Sequence, residues 1–365
     1  MSKSTSDHTA IKTPYGLISR YRGELMGFAA LWVVLFHSPL RLPSSWPHFI
    51  SDPINMFINL GYGGVDLFIL VSGIGIYQSL IKNSPSRYIK NRVQRIYPIW
   101  IAFIVVMLSV FALRYHEYFS FKEILGSLTF FGHWSPKLGR QGNWYVYTIM
   151  LFYVLAPVIF FLLRDSKKKA LTCAVLVGIV LLGTVSFMTP DKFTQRHLFI
   201  AFSRLPLFIV GLYFSAGLKD HVMKALDWII CIALFIIGTA VMVYVYTKQP
   251  KLLWRYGLWW YPFLLIAPTM ALLLSKLCNL CERGIRHLLA VLRFFGKASL
   301  EVFLISNFIF KRALAEKVAF TGWKAVLFTV IATVAGIVFH LIVKYLIKLV
   351  TYLWQKARKP KATES

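Results

Sequence analysis

The stretch LMGFAALWVVLFH, residues 25–37, decides the fold class of this chain. It is almost continuously apolar, it follows the basic residues Arg20 and Arg22, and it ends on an ionisable side chain, His37. A helix that spans a membrane needs about 20 predominantly apolar residues, and runs of that kind recur along the chain. A histidine inside such a run is costly to place and is by default a candidate functional residue.

The composition indicates a membrane protein along its whole length. Of the 365 residues, 58% are hydrophobic, and the mean hydropathy is +0.63. The polar start of the chain leads directly into the first apolar run, so we expect no cleavable signal. The pattern predicts an all-α polytopic helix bundle with about ten transmembrane helices, near residues 23–41, 54–81, 96–113, 143–163, 170–188, 197–216, 226–247, 257–275, 291–311 and 325–353.

The net charge of +27 is distributed as in a basic membrane protein. If the spans alternate in direction, most of the 41 Lys and Arg residues lie on the same side as the N-terminus. The positive-inside rule therefore predicts that both termini are cytoplasmic, and no nucleic-acid partner is needed to explain the charge. We expect a cytoplasmic tail at 1–22, a membrane domain at 23–355 and a basic, disordered tail at 356–365, with lysine-rich segments that attract membrane lipids.

The cysteines do not predict a metal centre. Four are present, and the only close pair is Cys278 and Cys281. This pair has no second CxxC motif and no nearby set of ligands, so we expect no bound metal.

The predicted topology places four polar side chains in the outer to middle part of the membrane. His37 lies about 15 residues from the inner end of the first span, which is roughly 22 Å into a core of about 30 Å. Asp66, Arg204 and Asn307 reach similar depths from spans two, six and nine. The sequence therefore predicts that these side chains meet in one layer.

Three of these residues, and also Glu301, can be considered for a purely structural role. His37 could end its helix at the membrane interface, and Asp66 could cap a helix that begins late. Arg204, between apolar neighbours, requires an anion or a ring of carbonyl groups. Glu301 is four residues after Lys297, and we expect the two to pair in helix packing.

A second group of polar residues lies at the predicted cytoplasmic face. Arg92 and Arg95 are three residues apart and share one face if the segment is helical, with Arg87 and Lys90 close by. Arginines in this arrangement can hold phosphates through charge-assisted hydrogen bonds. An ordinary positive-inside loop is the alternative interpretation.

Several segments that follow one another over most of the chain carry a further signal, namely residues 27–37, 64–73, 92–98, 144–145, 152–157, 204–211 and 295–299. In this order they resemble bacterial acyltransferase family 3. The members of that family are integral-membrane enzymes that move acetyl or other acyl groups onto hydroxyls, often of cell-surface glycans. Met26 stands where the family usually has an arginine, and Arg20 and Arg22 are candidates to replace that arginine.

The resemblance implies a membrane-bound O-acyltransferase of the bacterial cytoplasmic (inner) membrane. Such an enzyme would transfer an acetyl or other short acyl group from acyl-CoA, supplied by the cytoplasm, to a hydroxyl of a cell-surface glycan or glycolipid. Acyl-CoA would be a donor substrate, and no permanently bound cofactor is implied.

The resemblance also assigns roles to residues. His37 matches the histidine of the first span that is regarded as catalytic, so we expect it to act as a general base or to carry the acyl group transiently. We expect Asp66 to orient its ring, and Arg204 or Asn307 to stabilise the oxyanion. Four basic side chains would hold the CoA phosphates, namely Arg87, Lys90, Arg92 and Arg95. Two aromatic side chains would line the path of the acceptor, Trp144 and Tyr145.

A transporter or flippase for a glycan, lipid or organic anion is the alternative function. Polar residues at mid-depth and spans interrupted by glycine, such as residues 61–75, suit the broken helices of transporters. No internal repeat is evident in the sequence, which argues against this alternative.

Overall fold

The structure is a computed structural model that describes residues 12–135, 143–187, 191, 193–248, 260–318 and 320–358. Within these residues the chain forms helices and no strand. The first half of the chain contains α1 Pro14–Arg20, α2 Arg22–His37, α3 His48–Asn59, α4 Gly63–Lys82, α5 Pro85–Tyr115, α6 Phe121–Leu128, α7 Trp144–Asp165 and α8 Lys169–Val185.

The second half begins with a short irregular segment and continues with long helices. It contains a π-helical turn Thr194–Phe199, α9 Ile200–Phe202, α10 Leu205–Gly217, α11 Ala225–Lys248, α12 Phe263–Cys281, α13 Arg286–Lys297, α14 Ser299–Ala315 and α15 Trp323–Arg358. The last residues of the predicted C-terminal tail, 359–365, lie outside the described residues. The segment predicted as an N-terminal tail contains helix α1.

The helices confirm a polytopic membrane bundle. Among the described residues, seven helical segments are long and apolar enough to cross a membrane: α4, α5, α7, His197–Gly217, α11, α12 and α15. The other three predicted spans correspond to shorter helices, since α2 has 16 residues and α8 and α14 have 17 each.

Two predicted spans begin later than the hydropathy pattern indicates. The second span was predicted from residue 54, but α3 ends at Asn59 and α4 begins only at Gly63. The break covers residues 60–62, where Gly61 packs against α2: a Cβ there would lie 2.3 Å from the carbonyl oxygen of Trp32. The ninth span was predicted from residue 291, but the chain turns at Ala298, between α13 and α14.

The centre of the bundle is formed by α4 and α10. In the most apolar stretch of α4, 78% of the residues are buried, against 22% in α11 at the periphery. The two central helices approach closely, because a Cβ at Gly211 would lie 2.4 Å from the carbonyl oxygen of Leu70. Ser215 of α10 also donates a hydrogen bond to the carbonyl oxygen of Ile74. Small residues allow this kind of backbone approach between membrane helices.

Helix α2 is held by α13 in a similar close crossing. A Cβ at Gly27 would lie 1.8 Å from the carbonyl oxygen of Leu292, so only glycine fits there. Arg293 of α13 donates two hydrogen bonds to Glu24 of α2, at 2.6 and 2.9 Å. This packing fixes the position of the helix that carries His37.

Candidate functional site

Asp66 and Arg204 form an ion pair in the interior of the bundle. Nε of Arg204 lies 3.2 Å from Oδ1 of Asp66, and each side chain is only 2% exposed. Asp66 is in the first turn of α4, and Arg204 immediately precedes α10, so the two central helices present the pair to each other. The prediction that these residues reach the same depth is correct.

A carbonyl group and two aromatic rings also surround the guanidinium group of Arg204, whose Nε has no hydrogen-bond partner among the described atoms. Its Nη1 donates to the carbonyl oxygen of Ile200 at 2.9 Å. Its guanidinium carbon lies 4.7 Å from the Trp144 ring centroid and 5.0 Å from that of Trp260. A buried guanidinium needs an anion, carbonyl groups or aromatic faces around it, and Arg204 has all three.

His37 lies farther along the bundle than Asp66. Gly64 contacts Ala29 of α2, since its Cβ would lie 2.5 Å from the carbonyl oxygen of Ala29. Asp66 is close to Gly64 on α4, whereas His37 is eight residues beyond Ala29, which corresponds to about 12 Å along a helix axis. Among the described residues no hydrogen bond joins His37 to Asp66, so the expected contact between them is not formed.

Helix α14 is the neighbour of His37. Helices α2 and α14 pack together, and His37 at the end of α2 lies near Lys311 of α14. Asn307 lies one turn before Lys311 on α14 and is only 5% exposed. Its Oδ1 is buried without a hydrogen-bond partner among the described atoms. The predicted layer therefore divides: Asp66 and Arg204 contact each other, whereas His37 and Asn307 lie on α2 and α14, which pack together.

A basic cavity of about 100 Å³ opens between α2, α4, α5, α7 and α14. Four cationic side chains line it: Arg22, Arg92, Arg95 and Lys297. Nε of Arg92 is buried without a hydrogen-bond partner among the described atoms. The concentration of positive charge and the unpaired donor are the features of a phosphate site.

Not all of the predicted basic residues reach this cavity. Arg87 and Lys90 are exposed and are not among its lining residues. Lys90 is two positions before Arg92, which places it about 200° round the helix, on the opposite face. The sequence motif therefore separates into a pair that lines the cavity and a pair that faces away.

The structure distinguishes the two candidates for the missing family arginine. Arg20 pairs with Glu282 at 2.9 Å and lies outside the basic cavity. Arg22 lines the cavity together with Met26, one turn further along α2. Arg22 therefore brings a guanidinium to the space beside Met26. Sequence reasoning treated both arginines alike, because it could not show which one faces inward.

The expected pair of Glu301 and Lys297 is not formed. Oε1 of Glu301 lies 2.8 Å from Nδ1 of His340 on α15. Glu301 therefore pairs with a residue of another helix and not with Lys297. The turn at Ala298 separates the two residues into different helices, so their four-residue spacing no longer places them on one helical face. Lys297 is left on the wall of the basic cavity, which the sequence did not indicate.

Trp144 and Tyr145 connect the two polar regions. Trp144 stacks over Arg204, while Tyr145 lines the basic cavity and lies 5.9 Å from the Phe68 ring, between centroids. Phe68 also lines the cavity and is two residues after Asp66. The start of α7 therefore contacts the buried ion pair with one residue and the cavity with the next.

These features define a multi-pass membrane protein with a basic cavity beside buried polar groups. The chain matches the family model described as an acyltransferase domain over residues 25–345, which is nearly its whole length, and it belongs to acyltransferase family 3. It is thus a membrane acyltransferase. Comparison with curated proteins and with solved structures gave no match.

Proposed function

We propose that this acyltransferase moves an acetyl or other short acyl group from acyl-CoA to a hydroxyl of a cell-surface glycan or glycolipid, in the cytoplasmic membrane of a bacterium. The basic cavity is the observation that carries the proposal, because it offers several cations to a polyphosphate donor. The positive-inside rule puts this end of the bundle at the cytoplasm, where acyl-CoA is available.

The phosphates of the donor bind to the cations of the cavity. Arg92 and Arg95 come from α5, Arg22 from the start of α2, and Lys297 from the end of α13. Glu301 is the only carboxylate among the described residues of the cavity wall, and it has His340 as a partner. Guanidinium groups bind phosphate through charge-assisted and often bidentate hydrogen bonds, so the arginines carry most of the affinity.

The acyl arm of the donor extends from the cavity toward His37. Met26 lines the cavity and is on the same helix as His37, eleven residues before it. This separation is about 16 Å along the helix axis, which an extended arm has to cover. Tyr145 and Phe68 form part of the apolar wall at the start of this path.

His37 acts as the general base. Its imidazole takes the proton of the acceptor hydroxyl as the hydroxyl oxygen bonds to the thioester carbon. The tetrahedral intermediate collapses, the carbon–sulfur bond breaks, and the proton passes to the CoA sulfur. Asn307, on the neighbouring helix, is the side chain that we assign to stabilising the oxyanion.

Asp66 and Arg204 have a positioning role in this proposal. Arg204 is enclosed by Asp66, the carbonyl oxygen of Ile200 and two aromatic rings, which leaves it poorly placed to receive a developing oxyanion. Through Trp144 the pair fixes the start of α7 and so the orientation of Tyr145 in the cavity.

The test is a transfer assay with purified protein in liposomes and radiolabelled acetyl-CoA. We expect CoA release that depends on an added glycan acceptor and radiolabel that moves to the acceptor. The His37→Ala variant in the same liposomes is the control for background hydrolysis. Counterflow of a glycan or lipid without release of CoA would overturn the proposal in favour of a transporter or flippase.

A further inference from the structure

A second basic cleft, separate from the basic cavity, lies between α1, α11 and α12. Its volume is about 440 Å³. It is lined by Lys12, Arg20, Lys276, Leu17 and Trp228, among others. We call it the α1 cleft. It opens at the end of the bundle that carries α1, the same end as the basic cavity, because Arg22 follows α1 directly.

The charges of the α1 cleft are only partly neutralised. Glu282 is a lining carboxylate, and it accepts hydrogen bonds from Arg20 and from the hydroxyl of Tyr21. Lys12 and Lys276 form no ion pair among the described residues. The ammonium of Lys276 lies 5.4 Å from the Trp228 ring centroid. Two cations are therefore available to an anion inside the cleft.

The apolar part of the α1 cleft suits a lipid. Leu17 is 1% exposed and belongs to a small core with Tyr21 and Leu289, against which Trp228 packs. Trp228 is in the first turns of α11, a helix whose outer surface is largely exposed and apolar. A tryptophan at the end of a membrane helix is placed at the level of lipid headgroups.

We propose that the α1 cleft binds the phosphate-bearing headgroup of an anionic phospholipid from the leaflet at this end of the bundle. Lys12 and Lys276 hold the phosphate, and Trp228 covers the glycerol and the first part of the acyl chains. Basic pockets between membrane helices at the cytoplasmic side bind anionic headgroups in this manner. The site is independent of the donor cavity, because the two share no lining residue.

The experiment compares lipid retention in three forms of the full-length protein. Wild type, the Lys12→Gln, Lys276→Gln double variant and a control double variant are purified in detergent and titrated with phosphatidylglycerol or phosphatidylcholine. Native mass spectrometry counts the bound lipids, and the unfolding temperature is measured in parallel. The control is Lys344→Gln with Lys348→Gln, which removes the same charge from exposed lysines of α15 that line neither cavity.

We expect wild type and the control to retain one bound phosphatidylglycerol. The Lys12, Lys276 double variant should bind this lipid roughly 30-fold more weakly, because the loss of each lysine lowers the affinity about fivefold. Lys276→Arg alone should retain the lipid, because it keeps the charge. Equal losses in the two double variants would show general surface attraction and would overturn the proposal. A different outcome is that inorganic phosphate or glycerol phosphate raises the unfolding temperature as much as phosphatidylglycerol does. That result would assign the site to a soluble phosphate and would also overturn the proposal.

Discussion

Arg204 lies with its guanidinium carbon 4.7 Å from the centroid of the Trp144 ring. Trp144 is followed directly by Tyr145, which lines the basic cavity. A displacement of Arg204 would therefore move Trp144, and with it the adjacent Tyr145 on the cavity wall. If the cavity binds the donor as we propose, this relationship lets the buried ion pair influence the shape of the donor site.

The first prediction concerns the proposed base. His37→Ala should lower acyl transfer by about 10²- to 10⁴-fold, the usual contribution of general acid–base catalysis. The protein should still accumulate in the membrane, since His37 makes no hydrogen bond to the described residues. His48→Ala, which removes an exposed histidine paired with Asp52, is the control and should leave transfer unchanged. Near-normal transfer by His37→Ala would contradict the role of His37.

The second prediction concerns the phosphates of the donor. Arg92→Ala with Arg95→Ala should raise KM for acetyl-CoA about tenfold or more, with a smaller effect on kcat, because each charge-assisted hydrogen bond is worth about 1.5–3 kcal/mol. Initial-rate kinetics at saturating acceptor measure the effect. Arg87→Ala with Lys90→Ala, on the opposite face of α5, should change KM little. If both pairs raise KM equally, the cavity is not the phosphate site.

The third prediction separates the two arginines at the start of the membrane domain. Arg22→Ala should raise KM for acetyl-CoA, because Arg22 lines the basic cavity. Arg20→Ala breaks a partly exposed pair with Glu282, for which we expect a loss of at most about 1 kcal/mol in stability and no change in KM. Kinetics of the two variants side by side provide the comparison. An effect of Arg20→Ala alone would reverse the assignment.

The fourth prediction concerns the buried ion pair. Asp66→Asn should destabilise the protein by about 3–5 kcal/mol, because it leaves a buried guanidinium without its anion. Asp66→Asn with Arg204→Met should be less harmful than either single change, which a double-mutant cycle of unfolding in detergent can measure. Asp165→Asn, in an exposed pair with Arg164, should change the stability little, because solvent screens an exposed pair. Additive effects at Asp66 and Arg204 would show that the pair is not coupled.

The fifth prediction tests the close crossing of α2 and α13. Gly27→Ala places a methyl group against the backbone of Leu292 and should destabilise the protein by about 1–3 kcal/mol. Gly178→Ala, in the interior of α8 with nothing within 4 Å of the added Cβ, should instead stabilise it by about 0.5–1 kcal/mol. Thermal unfolding in detergent distinguishes the two. Equal unfolding temperatures would mean that the crossing is less tight than the structure shows.

The fold class and the family could be predicted from the sequence, and so could part of the site. Hydropathy and length were enough for the helix bundle, because every membrane helix needs a long apolar run. The depth of Asp66 and Arg204 followed from counting residues along their spans, and the two side chains do meet. The depth of His37 relative to Asp66 did not follow, because it depends on the register of α2 against α4, which is set where Gly64 contacts Ala29.

The sequence by itself determined that this chain is a membrane helix bundle of acyltransferase family 3, and it supplied the candidate basic residues. The tertiary structure decided which of these residues share a cavity. Arg22 and Lys297 join Arg92 there, while Arg87 faces away. The physical reason is that a sequence gives the spacing of residues along one helix, whereas the contact between helices depends on their crossing and rotation. Those are set by packing at positions such as Gly27 and Gly211, which carry no charge and no chemistry of their own.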